Sequence, residues 1–168
     1  MTALQVDGLS FQFPAGWQTT KYDDWSFYRK RFARMWNGIK AVDLLAIDPS
    51  HSLWLIEGKD YRKATRTKPS ELPDEVAQKV FDTLAALLPA AMNGDDPAEL
   101  KLAKAALKSK RLRVVLHLEQ PAKHSRLFPR AIDPADVELK LRRLLKPIDA
   151  HPVVTEKRAR RSLAWSVR

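Results

Sequence analysis

The sequence contains no cysteine among its 168 residues. This absence excludes a disulfide framework, a zinc site with thiolate ligands and a cysteine nucleophile. It is also typical of a reducing compartment. We therefore expect a cytoplasmic protein.

Long hydrophobic stretches are missing as well. No apolar run approaches the length of about 18 residues that a membrane-spanning helix needs. The first residues show no basic segment followed by an apolar one, as a secretory leader would. From these absences we expect a soluble protein without a membrane partner.

Common phosphate and metal motifs are absent too. The chain has no glycine-rich phosphate loop, and neither Gly-Lys-Ser nor Gly-Lys-Thr occurs. The histidines show no metal-ligand spacing, and none neighbours a nucleophile motif; they are His51, His117, His124 and His151. His117, between two leucines, is more typical of a strand histidine with a satisfied partner than of a ligand.

Positive charge is abundant. Lys and Arg number 30 against 20 Asp and Glu, which gives a formal net charge of +10. The surplus lies beyond residue 60 in three basic groups: Arg62, Lys63, Arg66 and Lys68; Lys101, Lys104, Lys108, Lys110, Arg111 and Arg113; and Lys157, Arg158, Arg160 and Arg161. Nucleic acid is the first polyanion that such a charge suggests. A solvated basic surface explains it equally well, so charge alone does not decide.

Hydrophobic periodicity and turn signals predict an α/β fold with helices and strands interleaved around one sheet. We expect a single domain over 1–168, with 1–18 as an irregular lead-in that has room for one short strand, and a core from about residue 20. Strands are predicted at 41–47, 53–61, 112–118 and 162–167, and helices at 20–36, at 73–89, and from Asp96-Pro97 and Asp133-Pro134 onward.

Two helices carry the apolar faces that matter most for the site. The first is predicted to begin with a capping box formed by Thr20 and Asp23. The expected buried faces are Trp25, Tyr28, Phe32, Met35 and Trp36 on the first helix and Ala77, Val80, Phe81, Leu84 and Leu88 on the second.

An acidic residue interrupts the first apolar strand. Asp43 lies within Val-Asp-Leu-Leu-Ala-Ile, where burial of a carboxylate is costly unless it is paired or binds a metal. For Asp43 alone, a solvent-facing strand edge or a nearby Lys or Arg is the favoured explanation.

Glu57 and Lys59 on the next strand strengthen the case for a site. Their i, i+2 spacing puts both on one face, and Gly58 leaves the opposite face clear for close packing. An antiparallel hairpin would bring Asp43 near Glu57, and two converging carboxylates suit Mg²⁺ or Mn²⁺. Lys59 would then serve the attacking water or stabilise phosphorane charge. The plain alternative is a Glu57–Lys59 salt bridge, worth about 0–1 kcal/mol if exposed.

Two predicted strands follow an amphipathic helix; the first carries Asp43 and, after thirteen further residues, the second carries Glu57-Gly58-Lys59. This pattern resembles the PD-(D/E)xK nuclease superfamily. The amino-acid sequence around both strands is especially similar to the restriction-endonuclease-like and archaeal-type resolvase branches of this superfamily, and the resemblance covers about residues 22 to 62. The resemblance implies a restriction-endonuclease-like core, a mixed central β-sheet flanked by helices. It also implies a metal-dependent nuclease acting on DNA, with Asp43 and Glu57 as metal ligands and Lys59 assisting hydrolysis.

Some positions depart from the superfamily pattern. Val42 precedes Asp43 where the pattern has Pro. Members often carry a further acid on the first helix, where Asp24 is the candidate because Asp23 is assigned to the capping box. Some members use a glutamine on the helix that follows the strand with the Glu-x-Lys motif, here called the ExK strand. Gln78 matches that place, and a plain surface glutamine is an equal alternative.

The basic loop after the ExK strand is expected to hold the nucleic-acid backbone near the cleavage point, through Arg62, Lys63, Arg66 and Lys68. Lys108, Lys110 and Arg111 would contact phosphate further out. The alternative function is a catalytically inactive nuclease-like fold that acts as a nucleic-acid-binding or protein-interaction subunit. The resemblance also allows a homodimer, since many members of the superfamily dimerise.

Overall fold

The computed structural model describes residues 1–68, 70–123, 125–127, 130–159 and 163–168. Arg160 and Arg161 of the third basic group, His124 and the first residue of the predicted last strand, Ser162, lie outside these ranges. No helix in the described part of the chain is long and apolar enough to cross a membrane.

Helices and strands alternate along most of the chain. The strands are β1 (Thr2–Val6), β2 (Leu9–Phe13), β3 (Gln18–Lys21), β4 (Leu44–Ile47), β5 (Ser52–Asp60), β6 (Arg111–Glu119), β7 (Val153–Thr155) and β8 (Ser166–Val167). The α-helices are α1 (Ser26–Lys30), α2 (Leu72–Asn93), α3 (Pro97–Leu107) and α4 (Pro134–Leu145), and 3₁₀ turns cover Tyr22–Asp24 and Phe32–Arg34.

The strands form two sheets, not the single sheet predicted from the sequence. The larger sheet has the order β3-β4-β5-β6-β7, and the smaller has the order β1-β2-β8. β3, β4 and β5 are antiparallel neighbours, whereas β5, β6 and β7 run parallel. A parallel pair needs a crossover connection, which α2 and α3 provide between β5 and β6. The mixed α/β class is thereby confirmed.

The larger sheet is covered on both faces. Leu53 and Leu55 of β5 join the core beneath the helices, whereas Trp54 and Ile56 pack toward the smaller sheet. Because side chains alternate along a strand, the same parity sends Glu57 and Lys59 to the helical side. The site therefore forms between β5 and a helix, and its position follows from the packing of the strand.

Gly58 allows the two sheets to approach each other closely. A Cβ atom at this position would lie 3.0 Å from Val6 Cγ1 and 3.4 Å from the ring of Phe11. We expect Gly58→Ala to lower the free energy of unfolding by about 1 kcal/mol, because the added methyl group overpacks this interface. Urea denaturation at neutral pH measures the change.

Removal of the clashing methyl groups provides the control for this substitution. If the clash with Val6 is the cause, Gly58→Ala in a Val6→Ala background should cost about 0.5 kcal/mol less than in the wild type. Equal costs in the two backgrounds would contradict the packing explanation.

The prediction of an irregular lead-in over 1–18 is wrong. The segment holds β1, β2 and the first residue of β3, and Phe11 and Phe13 are fully buried. Asp7 and Gly8 join β1 to β2 with positive φ angles of 48° and 79°, as a type I′ hairpin turn requires. An Asp-Gly pair between apolar residues is a hairpin signal, and here it marks the turn between β1 and β2.

The predicted helix over 20–36 is broken into short pieces. Thr20 lies in β3 and is paired with Leu45, so it caps no helix; its hydroxyl accepts a hydrogen bond from Trp25 Nε1 at 2.8 Å. Trp36 is 92% exposed and Met35 is 49% exposed, so neither lies on the expected buried face. The pairing of β3 with β4 at the edge of the sheet overrides the local sequence preference for a helix over 20–36.

The later helix starts are confirmed. Asp96 Oδ1 accepts hydrogen bonds from the backbone N–H groups of Ala98 and Glu99, and Asp133 Oδ1 accepts one from Ala135. In α2 the buried stripe is rotated from the predicted one. It leaves Phe81 44% and Leu88 53% exposed and buries Leu72, Pro73, Glu75, Val76, Ala77, Val80, Thr83, Ala86, Leu87, Ala90 and Ala91.

Candidate functional site

The β4–β5 hairpin brings Asp43 and Glu57 together. Leu44 is paired with Ile56, and Asp43 stands one residue before β4, where the antiparallel register places it opposite Glu57. Asp43 Oδ2 accepts a hydrogen bond from the Gly58 N–H at 2.8 Å, and its carbonyl accepts one from the Tyr22 N–H. The backbone thereby fixes the Asp43 carboxylate at the end of the hairpin.

Glu57 is almost completely buried. Its side chain is 1% exposed, and Oε1 lies 2.7 Å from the Lys59 ammonium. Oε2 has no hydrogen-bond partner among the described residues. Burial, and next the nearby charge of Asp43, raises the pKa of Glu57 to about 7. The Glu57–Lys59 salt bridge considered above is present, but it is a buried pair and not an exposed one.

A second lysine, Lys79, completes the cluster and was missed in the sequence. Its ammonium lies 2.6 Å from Glu57 Oε1 and 3.6 Å from Asp43 Oδ1, so one cation contacts both carboxylates. Lys79 comes three residues after the buried Val76 and directly before the buried Val80. That place on the buried stripe of α2 is a signal that could have identified it.

Gln78 does not contribute to this cluster. It is exposed, and its Nε2 donates a hydrogen bond to Asp82 Oδ1 at 2.7 Å. One residue along an α-helix turns the side chain by about 100°, so Lys79 faces the sheet where Gln78 does not. The structure therefore brings Lys79, and not Gln78, to the two carboxylates.

The choice between Asp23 and Asp24 is also reversed. Asp24 is 45% exposed and forms ion pairs with Lys21 at 3.1 Å and Arg29 at 3.0 Å, away from the hairpin. Asp23 Oδ1 is buried without a hydrogen-bond partner among the described residues. Burial first, and then the charge of Asp43, raises the pKa of Asp23. The additional acid that approaches Asp43 is therefore Asp23.

Glu75 links the basic loop to the site. Its side chain is 1% exposed and forms ion pairs with Lys68 at 2.7 Å and Arg66 at 2.8 Å, with Lys59 at 3.9 Å. Burial alone would raise the pKa of Glu75. The hydrogen bond from Lys68 and the ion pair with Arg66, followed by the charge of Lys59, instead lower it to about 2. Sequence patterns gave no sign of this residue, because its partners come from a loop and a strand.

The four predicted phosphate-binding residues of the loop differ in availability. Arg62 forms a bidentate pair with Asp60, through Nε at 2.8 Å and Nη2 at 2.5 Å. Arg66 is only 13% exposed in its contact with Glu75, whereas the Lys68 side chain is 59% exposed. Lys63 is exposed as well. Lys63 and Lys68 are thus the loop cations most accessible to a polyanion.

The part of the second basic group at the start of β6 lies at the other end of the sheet. Arg111 is paired with Ser52 at the start of the parallel β5–β6 pair, and the Lys110 N–H donates to the His51 carbonyl at 2.8 Å. The five residue steps along the strand from Ser52 to Glu57 span about 17 Å. Lys108, Lys110 and Arg111 are exposed, and any contact they make to phosphate is remote from the carboxylates.

The end of the hairpin carries two carboxylates, and carboxylate oxygens are ligands that a hard divalent cation takes. No group of three or more His, Cys, Asp or Glu suited to a metal is found within the described ranges. Mg²⁺ nevertheless often binds through one or two carboxylates and completes its shell with water and substrate phosphate. Asp43 and Glu57 supply two carboxylates, and the buried Glu57 Oε2 has no hydrogen-bond partner within the described residues.

His117 is the strand histidine that its neighbours suggested. It is 2% exposed, and its Nε2 lies 2.9 Å from Glu119 Oε1. Because it points to the face opposite Glu57 and packs against Phe11, it takes no part in the carboxylate cluster.

The chain is similar to part of a much longer protein. It is 30% identical over 167 residues to a cysteine–tRNA ligase of Neisseria meningitidis serogroup A / serotype 4A (strain DSM 15465 / Z2491). The match covers 82% of this chain, which spans 24% of the length of that ligase. No protein-family model matches the chain, and no solved structure matches it.

Proposed function

We propose that the protein is a nuclease of the PD-(D/E)xK superfamily that hydrolyses phosphodiester bonds in DNA with Mg²⁺ or Mn²⁺. The observation that carries this proposal is the convergence of two inward-facing carboxylates, Asp43 and Glu57, with the Lys59 ammonium 2.7 Å from Glu57. Burial of like charges is unfavourable unless cations compensate them. An arrangement of this kind is commoner at functional sites than in ordinary cores.

The fold is compatible with a restriction-endonuclease-like core. The central sheet is mixed, and its antiparallel hairpin carries both carboxylates. Helix α2 follows the ExK strand and packs over the site, while β6 continues the sheet in parallel to β5. These features support the proposed superfamily, since they are what the resemblance in sequence implies for the hairpin and its surroundings.

Each residue of the cluster has a distinct task in this proposal. Asp43 and Glu57 would hold the cation, which lowers the pKa of coordinated water and neutralises charge on the scissile phosphate. Lys59 donates a hydrogen bond to the attacking water or to a phosphoryl oxygen. In the hydrolysis, the water oxygen forms a new bond to phosphorus and the water gives up one proton to the solvent. The bond from phosphorus to the leaving oxygen breaks, and that oxygen takes one proton from the solvent.

The position of the basic loop supports a polyanionic substrate. Residues 61–68 directly follow β5, which ends at Asp60, and they include the exposed Lys63 and Lys68. Lys68 forms an ion pair with Glu75, which also faces Lys59. Contacts of this kind to the backbone set affinity and register without reading sequence. Binding of nucleic acid should accordingly weaken with rising salt.

A second candidate is a catalytically inactive module that binds RNA. Lys59 and Lys79 already neutralise Asp43 and Glu57 in part without a metal. The similarity to part of a cysteine–tRNA ligase favours tRNA as the nucleic acid for this candidate. It predicts binding in EDTA and no cleavage with either metal.

Incubation with labelled substrates distinguishes the two candidates. Wild-type protein is incubated with duplex DNA, single-stranded DNA and a tRNA transcript, each with Mg²⁺, Mn²⁺ or EDTA. The proposal predicts fragments of DNA in the metal lanes only. Intact DNA in every lane, with tRNA retained in EDTA, would replace it by the binding module.

A further inference from the structure

Lys79 lies at the position where the two carboxylates converge. Its ammonium contacts Glu57 Oε1 at 2.6 Å and Asp43 Oδ1 at 3.6 Å. The side chain is 14% exposed, so it is enclosed by the site and still close to its surface. The charge of Asp23 also acts on this ammonium. Lys79 is therefore held by the same charges that would hold a metal ion.

The ammonium leaves part of the site unsatisfied. Glu57 Oε2 and Asp23 Oδ1 are buried without hydrogen-bond partners in the described part of the chain. An ammonium offers three donors from one small atom, whereas a divalent ion carries twice the charge and takes six oxygen ligands. A divalent cation with its waters would satisfy these oxygens better than Lys79 does.

The two lysines of the cluster differ in what else holds them. Lys59 has the Glu75 carboxylate at 3.9 Å besides Glu57, so it retains an anionic neighbour if Glu57 binds another cation. Lys79 contacts the two carboxylates that a metal would use, and its further anionic neighbour, Asp23, is the acid that approaches Asp43 in the same site. Of the two ammonium groups, that of Lys79 is thus the one that a metal would displace.

We propose that Lys79 is a built-in counter-cation that competes with the divalent metal for Asp43 and Glu57 and so sets the metal concentration at which the site is filled. This inference rests on the proposed function. In the metal-free protein the ammonium keeps the carboxylates together, and metal binding moves it out. The cost of that displacement lowers the apparent metal affinity of the wild type.

Mn²⁺ titration by calorimetry tests the competition directly. Lys79→Met keeps the length of the side chain and removes its charge, and Lys104→Met removes the same charge from an exposed position on α3. If the ammonium occupies the site in about nine-tenths of wild-type molecules, Lys79→Met should bind Mn²⁺ about tenfold more tightly. The Lys104 variant should bind like the wild type.

The possible outcomes separate this inference from the proposed function. Equal or weaker Mn²⁺ affinity of Lys79→Met, in a wild type that binds Mn²⁺ and cleaves DNA, overturns the inference alone. Absence of Mn²⁺ binding and cleavage in both proteins overturns the proposed function as well. A variant that folds only with Mn²⁺ supports the competition. A variant that stays unfolded at all Mn²⁺ concentrations contradicts it, because Lys79 would then be an ion pair that metal cannot replace.

Discussion

Replacing Glu57 by Gln is expected to lower the rate of metal-dependent DNA cleavage by about a thousandfold, as for loss of one charge-stabilising group in a buried active site. Glutamine keeps the shape of the side chain but removes the negative charge that would hold the cation. The Lys59 and Lys79 ammonium groups would also lose their shared partner, Glu57 Oε1. Initial rates of plasmid nicking in Mg²⁺ measure the effect.

A matched exposed position provides the control. Glu71→Gln makes the same chemical change at the start of α2, where the Glu71 side chain is 66% exposed and forms an ion pair with Lys140. Its nicking rate should remain near that of the wild type. If Glu57→Gln cleaves as fast as Glu71→Gln while both remain folded by circular dichroism, Glu57 is not part of a catalytic site.

Replacing Glu75 by Gln is expected to reduce the free energy of unfolding by about 2–3 kcal/mol near pH 7. The carboxylate is buried and neutralises Arg66 and Lys68 while facing Lys59, so the variant leaves three cations without their shared anion. Urea denaturation of the two proteins measures the difference. Glu71→Gln again serves as the control, and its exposed side chain should matter little.

The pH dependence of this difference follows from the lowered pKa of Glu75. The folded protein holds that pKa at about 2, below the ordinary value of 4.5. The stabilisation is therefore complete above pH 4.5 and is lost as the pH falls toward 2. At about pH 3 the difference in free energy of unfolding between the wild type and Glu75→Gln should shrink to roughly half its value at neutral pH. A gap that stays constant would show that the charge of Glu75 is not its cause.

The pairing of Asp43 with Glu57 could be predicted because a strand has a fixed period. Two short apolar runs around a turn indicated the hairpin, and the i, i+2 spacing put Glu57 and Lys59 on one face. Burial of Leu53 and Leu55 on that same face then decides that both point toward the helices. Strand periodicity and the turn signal were therefore sufficient to place the site residues that lie on the hairpin.

The residues contributed by other elements could not be found in the same way. The face that α2 presents depends on how it packs on the sheet, and a rotation of one residue exchanges Gln78 for Lys79. Asp23 approaches Asp43 because β3 pairs with β4 and interrupts the predicted helix. Sheet pairing between distant segments is a tertiary effect that overrides local propensity.

The most direct test of the central claim is the nicking of supercoiled plasmid by wild-type protein after its metal is removed and then restored. Protein treated with EDTA should leave the plasmid intact, and an excess of Mg²⁺ or Mn²⁺ should restore nicking in the wild type but not in Glu57→Gln. Plasmid that stays supercoiled at every metal concentration, although the protein retains it in a gel, would contradict a nuclease at Asp43 and Glu57.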